Sequence, residues 1–185
     1  QRMAVPLSGI VALMYVNKDM AGEMGVTIPA ELPQSLDAME EIGAELYDVS
    51  DDGTINKVGF APTLFSSPML WAAVWGNDNA YDEASNTFDG NTTEMKQLLE
   101  WHKSYGDTYG GEEIVAWKGT YGVGNYGRFT SDGPLYTNQV GMAGLSSWWF
   151  SDIGKQAPDQ NYAFDKVQAP AAGNNYRSSD LNTNI

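Results

Sequence analysis

The sequence predicts an α/β layer fold, and three features carry that expectation. The run Ile10-Val11-Ala12-Leu13-Met14-Tyr15-Val16 is apolar and too short to span a bilayer, so it reads as a buried strand. The run Val140-Gly141-Met142-Ala143-Gly144-Leu145 has the same character. Other segments repeat apolar residues at three- and four-residue intervals, the spacing of amphipathic helices. Strands and helices mixed in this order imply α/β layers. At 185 residues the chain is long enough for one domain with a real core, and it carries no internal repeat.

Extended structure is expected over residues 3–16, punctuated by Asn17-Lys18-Asp19. Met20, Met24 and Val26 around Gly22 and Gly25 predict a short helical turn ended by glycine. Ser35 is the expected N-cap of a helix whose apolar face is Leu36, Met39, Ile42 or Gly43, and Leu46. Asp37, Glu40, Glu41 and Glu45 occupy the other side, which reads as a solvated face. Asp51-Asp52-Gly53 predicts a turn, Lys57 to Ala61 a strand, Pro62 to Pro68 a loop, and Met69 to Trp75 a helix. A small hairpin is expected around Thr87-Phe88. Asn91 with Glu94 resembles a capping pair opening a helix whose face is Met95, Leu98, Leu99 and His102, with Tyr105 nearby. Gly106 to Gly127, rich in Gly and Tyr, is expected to be irregular. Leu135 to Asn138 is read as ending a short helix, Trp149 to Gln156 as a helix, and Tyr162 to Val167 as a strand closed by Pro170.

The charge balance is lopsided: 10 Lys+Arg stand against 24 Asp+Glu. Residues 1–60 hold three basic and ten acidic groups, whereas residues 121–185 hold four and five. Such a surface repels phosphate backbones, so nucleic acid is not an expected partner. The acidity reads first as solubility, with cation binding as the second reading. Without cysteine there is no disulfide, thiolate metal site or Cys nucleophile. No signal peptide opens the sequence, and both ends read as cuts.

Catalytic motifs are missing. The single histidine, His102, falls on the apolar face of a predicted helix and reads as a satisfied, partly buried side chain. One His and no Cys give no basis for a zinc site, and no Gly-x-Ser-x-Gly elbow or Walker A loop occurs. Gly122-x-Gly124-x-x-Gly127 matches a dinucleotide spacing but lacks a strong strand before it and a good helix start after it. Asn77-Asp78-Asn79 lacks the Gly and closing Glu of a calcium loop. Carboxylates are plentiful, yet no spacing singles out a glycosidase pair. Neither a cofactor nor a metal is expected.

Aromatic residues are abundant: six Trp, ten Tyr and six Phe. Several stand beside small or polar residues: Trp71 and Trp75, Tyr121 and Tyr126, Trp148 and Trp149, and Tyr176 beside Asn174, Asn175 and Arg177. Sugars present apolar C–H faces and hydroxyl rims, so their sites combine aromatic plates with Asn, Asp, Ser or Arg. Trp71 lies in an apolar run and also reads as core. Adjacent Trp148 and Trp149 are expected to point different ways, one to the core and one outward.

In order along the chain, Leu13-Met14-Tyr15-Val16-Asn17-Lys18-Asp19-Met20, Pro33-Gln34-Ser35-Leu36-Asp37, Leu70 to Asp78, Phe88 to Asn91, Gln139 to Ala143 with Ser147-Trp148, and Tyr162 to Pro170 resemble segments of the family 1 extracellular solute-binding proteins. This group includes the maltose-binding type. The Asn-Lys-Asp segment is the most specific of these motifs. Three positions depart from the family pattern: Trp75-Gly76 stands for a paired Gly, Leu36 for a Trp, and Asn138-Gln139 for Gly-Lys.

The resemblance implies a type II periplasmic-binding-protein-like fold, represented mainly by its second lobe with a crossover strand from the first. Residues 1–16 would be the interlobe crossover strand. Residues 17–172 would be the second, C-terminal α/β lobe, and residues 173–185 a cleft turn and the start of the return toward the first lobe. About 100 residues of the first lobe would precede them. The implied function is reversible binding of a sugar or oligosaccharide for an ABC importer, without enzymatic chemistry. Its partners would be the sugar and the permease subunits. The full precursor would carry a signal peptide, and the protein would be a periplasmic or extracellular monomer, free or lipid-anchored. The implied ligand contacts are Trp148 and Trp149, Trp75, Trp71, Ser66 and Ser67, Ser8, and Asn175 with Tyr176. A glycosidase fragment and a sugar receptor uncoupled from transport are the alternatives.

Overall fold

The computed structural model describes residues 10–64, 71–72, 74–75, 81–82, 84–120, 131–168, 170 and 179–180. Strand β1 (Ile10–Asn17) is the apolar run read from the sequence, and it lies inside a mixed sheet. Its neighbours are β6 (Val140–Ser146) and β7 (Tyr162–Lys166), both antiparallel to it. Beyond β6 come β3 (Ile55–Phe60), parallel to β6, and then β2 (Asp48–Val49). The sheet order is therefore β2-β3-β6-β1-β7, and β8 (Ser179–Asp180) pairs with Ile10 and Val11.

Both faces of the sheet are buried, which explains the near-continuous apolar runs. Ala12, Met14 and Val16 of β1 join one cluster with Met20, Leu36, Met39, Phe60, Trp71, Leu98 and Met142. Tyr15, Ala143 and Leu145 join the other, with Ile114, Trp117, Trp149 and Ile153. The first cluster is covered by α1 (Lys18–Glu23), α2 (Leu36–Glu45) and α3 (Thr93–Tyr109). The second is covered by α4 (Gly111–Thr120) and α5 (Trp148–Gln156). Each large side chain buried this way contributes about 1.5–3 kcal/mol.

The Asn-Lys-Asp segment joins the sheet to its helices. Asn17 has no exposed surface. Its Oδ1 accepts from Met20 N at 2.9 Å and caps α1, while its Nδ2 donates to Asn138 Oδ1 at 3.0 Å. Asn138 has φ 54°, a left-handed conformation that Asn tolerates better than most residues. Its Nδ2 donates to Glu23 Oε1 at 2.8 Å, and Glu23 Oε2 pairs with Lys57 of β3 at 2.8 Å. Lys18 N donates to Asn161 O at 3.0 Å and Asp19 Oδ2 accepts from Asn161 N at 2.8 Å, clamping the approach to β7. Helix α1 ends as its glycines predict. Gly25 has φ 73° and Val26 N donates to Ala21 O at 2.8 Å, a Schellman closure.

Helix α2 starts at Ser35, whose Oγ accepts from Ala38 N. It seats directly on the sheet because two glycines leave no side chain between them: a Cβ on Gly59 would stand 1.8 Å from Gly43 O. Asp51-Asp52-Gly53 closes a β2–β3 hairpin, with Gly53 at φ 87°. Residues Trp71, Ala72 and Val74 are helical, and β4 (Tyr81–Asp82) pairs with β5 (Thr87–Phe88) in the small hairpin expected there.

Five local expectations are corrected. The cap of α3 is Thr92, one residue past Asn91, because Thr92 Oγ1 accepts from Met95 N while Asn91 N turns back to Asp89 Oδ1. Its buried stripe runs through Leu98, with Trp101 and Tyr105 packed beside it, and Leu99 is exposed. The stretch expected to be irregular is helical as far as Thr120. Gly106 is absorbed inside α3, Gly110 at φ 81° breaks it, and Ile114 and Trp117, one turn apart, bury α4. Leu135 to Asn138 forms tight turns about Gly133 and Pro134 rather than a helix end. Finally, His102 is partly buried but not satisfied, since its Nε2 has no hydrogen-bond partner among the described residues. Burial holds its imidazolium form below the ordinary value.

Replacing Asn17 with Ala removes the α1 cap and a partner of Asn138, and is expected to cost about 2–3 kcal/mol in urea unfolding. A loss under about 0.5 kcal/mol would contradict the assigned network. For His102 the folded state resists protonation while the unfolded chain does not. Its contribution to stability is full above the unfolded value of 6.5 and is lost as pH falls below it. The urea midpoint should therefore fall from pH 7 toward 5, and fall less in His102→Gln.

Candidate functional site

One edge of the sheet collects most of the chain's turning points. Parallel strands β3 and β6 both finish there, β7 finishes there, and antiparallel β1 begins there beside β8. Ligands of α/β sheets sit outside the carboxyl ends of the parallel strands, so this edge is the candidate site.

Ser147 forms the corner between β6 and α5. Its N donates to Val11 O at 2.7 Å, and its Oγ accepts from Val11 N at 3.4 Å. The corner is thereby latched to the start of β1, and Trp148 opens α5 immediately beyond it. Trp149 is buried in the core, whereas Trp148 is half-buried. Their rings stack at 4.9 Å and 24°, so the inner tryptophan backs the outer one.

Trp71, expected as a ligand contact, has no exposed surface. Its Nε1 donates to Pro62 O at 2.8 Å, just past the end of β3, so it supports this edge from inside. Trp75 is half-buried, with its ring 4.5 Å from Trp101. Ser8, Ser66, Ser67, Asn175 and Tyr176 lie outside the described residues, as does Gly122-x-Gly124-x-x-Gly127.

Two residues were not singled out from the sequence. Trp101 touches Phe60, Trp71, Trp75 and Tyr105, and donates to Glu40 Oε1 at 2.6 Å. The helical spacing Leu98, Trp101, Tyr105 marks it, once that stripe is chosen over Leu98, Leu99, His102. Gln168 lies two residues beyond β7 at the candidate edge. It is only 1% exposed, and among the described residues neither its Nε2 nor its Oε1 has a hydrogen-bond partner. No periodicity distinguishes such a residue, because it lies outside any regular element.

No protein-family model matches the sequence, and no curated protein matches it. Solved structures do match. The mannobiose complex of CpMnBP1 aligns with a TM-score of 0.72 at 22% identity, over 95% of this chain and 42% of that one. An ABC transporter solute-binding protein from Thermotoga lettingae with bound α-D-tagatose aligns at 0.63 and 16%, again over 95% and 42%. The maltose/maltodextrin-binding domain MalE of Bdellovibrio bacteriovorus with maltotriose aligns at 0.60 and 14%, over 92% and 40%. The chain thus has a type II periplasmic-binding-protein-like fold, and spans about two fifths of the length of these sugar-binding proteins. The resemblance read from the Asn-Lys-Asp segment points to the same group.

The orphan amide gives a test of this edge. Gln168→Met removes two unpartnered polar atoms at similar volume, so the urea midpoint should hold or rise. A loss above about 1 kcal/mol would show that the amide has partners within the chain.

Proposed function

We propose that this chain is the second lobe of the substrate-binding component of an ABC importer, reversibly holding a sugar or oligosaccharide. The observation that carries the reading is Trp148, half-buried at the head of α5, backed by Trp149 and latched to β1 through Ser147. A plate so supported has a fixed position and loses little entropy when a sugar face stacks on it.

The lobe would bind without altering its ligand. Contacts to both lobes would stabilise a closed form, and the permease would read that closure. Residues 1–16 would form the crossover from the first lobe, residues 17–172 the present lobe, and residues 173–185 the cleft turn and return. Ser8, Ser66, Ser67, Asn175 and Tyr176 would line the cleft beside Trp148, with Trp75 at its border. The protein would act in the periplasm or outside the cell, as a monomer with its ligand and permease. No helix among the described residues is long and apolar enough to cross a membrane.

Calorimetric titration of the full-length protein with mannobiose, maltotriose and tagatose tests this. At least one sugar should bind, and Trp148→Ala should weaken it by about tenfold or more, ~1.4 kcal/mol. The isolated lobe should bind more weakly than the full protein. Equal affinity in both, or indifference to Trp148→Ala, would overturn the reading.

A further inference from the structure

A hollow of about 300 Å³ lies between α2 and α3 and contains none of Trp148, Trp149 or Gln168. That volume is at the lower end of the range for small-molecule sites. Asp37, Glu40 and Glu41 enter it from α2, at spacings that place them on one helical face. Ser104, Tyr105, Thr108 and Tyr109 enter from α3, with Tyr47 and Phe60 completing the wall. Gly43 and Ala44 open the space, because neither projects more than a methyl group.

The charge of this hollow is uncompensated. Among the described residues no Lys, Arg or His lines it, and the ion pairs Lys57–Glu23 and Lys103–Asp107 involve none of its carboxylates. Like charges one helical turn apart destabilise a helix, so Asp37 and Glu41 gain from any bound cation. Glu40 is held in place: its Oε1 accepts from Trp101 Nε1 at 2.6 Å and from Tyr105 Oη at 2.5 Å, while Oε2 has no hydrogen bond among the described residues. Desolvation, followed by the Glu40 charge, raises the Tyr105 and Tyr109 hydroxyls above their ordinary value, so both rings stay neutral.

The lining chemistry selects among cations. Among the described residues no group of three His, Asp or Glu converges closely enough to hold a metal ion. The negative charge is instead spread around tyrosine rings, and Tyr109 is stiffened by stacking on Tyr47 at 3.7 Å and 11°. Aromatic faces joined to carboxylates suit a bulky, weakly hydrated organic cation better than a compact metal ion. We propose that the hollow between α2 and α3 binds a small methylated ammonium ion, its charge facing Asp37, Glu40 and Glu41 and its methyl groups against the tyrosine rings.

Calorimetric titration of the full-length protein with choline chloride, against sodium chloride at matched ionic strength, tests this. Saturable choline binding is expected, with 3,3-dimethylbutan-1-ol, the neutral isostere, at least tenfold weaker. The double variant Asp37→Asn, Glu41→Gln changes two exposed side chains and should lose at least tenfold in choline affinity with an unchanged circular dichroism spectrum. Trp148→Ala should leave choline binding intact. The proposal is overturned if choline gives no saturable heat, if the neutral isostere binds equally well, if the double variant keeps full affinity, or if Trp148→Ala abolishes binding.

Discussion

The side chain of Asn17 has no exposed surface, so each polar atom it carries must find its partner inside the protein. That requirement fixes three elements at once. Oδ1 sets where β1 stops and α1 starts. Nδ2 holds the left-handed Asn138, which aims the chain into β6. Through Glu23 and Lys57 the same network reaches β3, two strands away from β1. Gln160 joins it from the approach to β7, bonding Asn138, the Leu135 carbonyl and the Tyr15 hydroxyl. The strands that end at the candidate edge are therefore aligned from their opposite ends.

Register carries that alignment across the sheet. Val16 faces Met142 and Ala163 at the Asn17 end, and Ala12 faces Ser146 at the other. A slip of one residue would turn the Met14 and Val16 side chains into the opposite cluster, where Tyr15, Ala143 and Leu145 already fill the space. The position of Ser147, and with it Trp148, follows from the register of β1 on β6 and not from any local preference of the loop. The acidic face of α2 depends on the same frame, since Gly43 on Gly59 sets how closely that helix approaches the sheet.

Much of this architecture was legible in the sequence. Where one face or both faces of an element meet a uniform environment, the pattern is self-evident: β1, β6, α2 and α5 announce themselves by apolar runs, spacing and caps. The stretch from Gly106 to Thr120 was obscured because Gly and Tyr signal loops. Ile114 and Trp117, one helical turn apart, outweigh that local tendency once a second sheet face needs covering. Of the candidate site, the Trp148–Trp149 pair was visible as composition, but which ring is backed and which half-buried is set by tertiary packing. Trp71 differed already in lying within an apolar run, and it is wholly interior. Gln168 was invisible, since nothing in Lys166-Val167-Gln168 separates a buried amide from a surface one.

The pairing of Ile10 with Asp180 and of Val11 with Ser179 has a topological consequence. The first and last described strands, β1 and β8, lie side by side, so the chain leaves the sheet close to where it enters it. Such a unit has the geometry of an insertable cassette: it can be spliced into a surface loop of an unrelated host without prying that loop apart. A unit joined at two neighbouring points can be exchanged there by recombination, leaving the Asn17 network and both sheet faces intact.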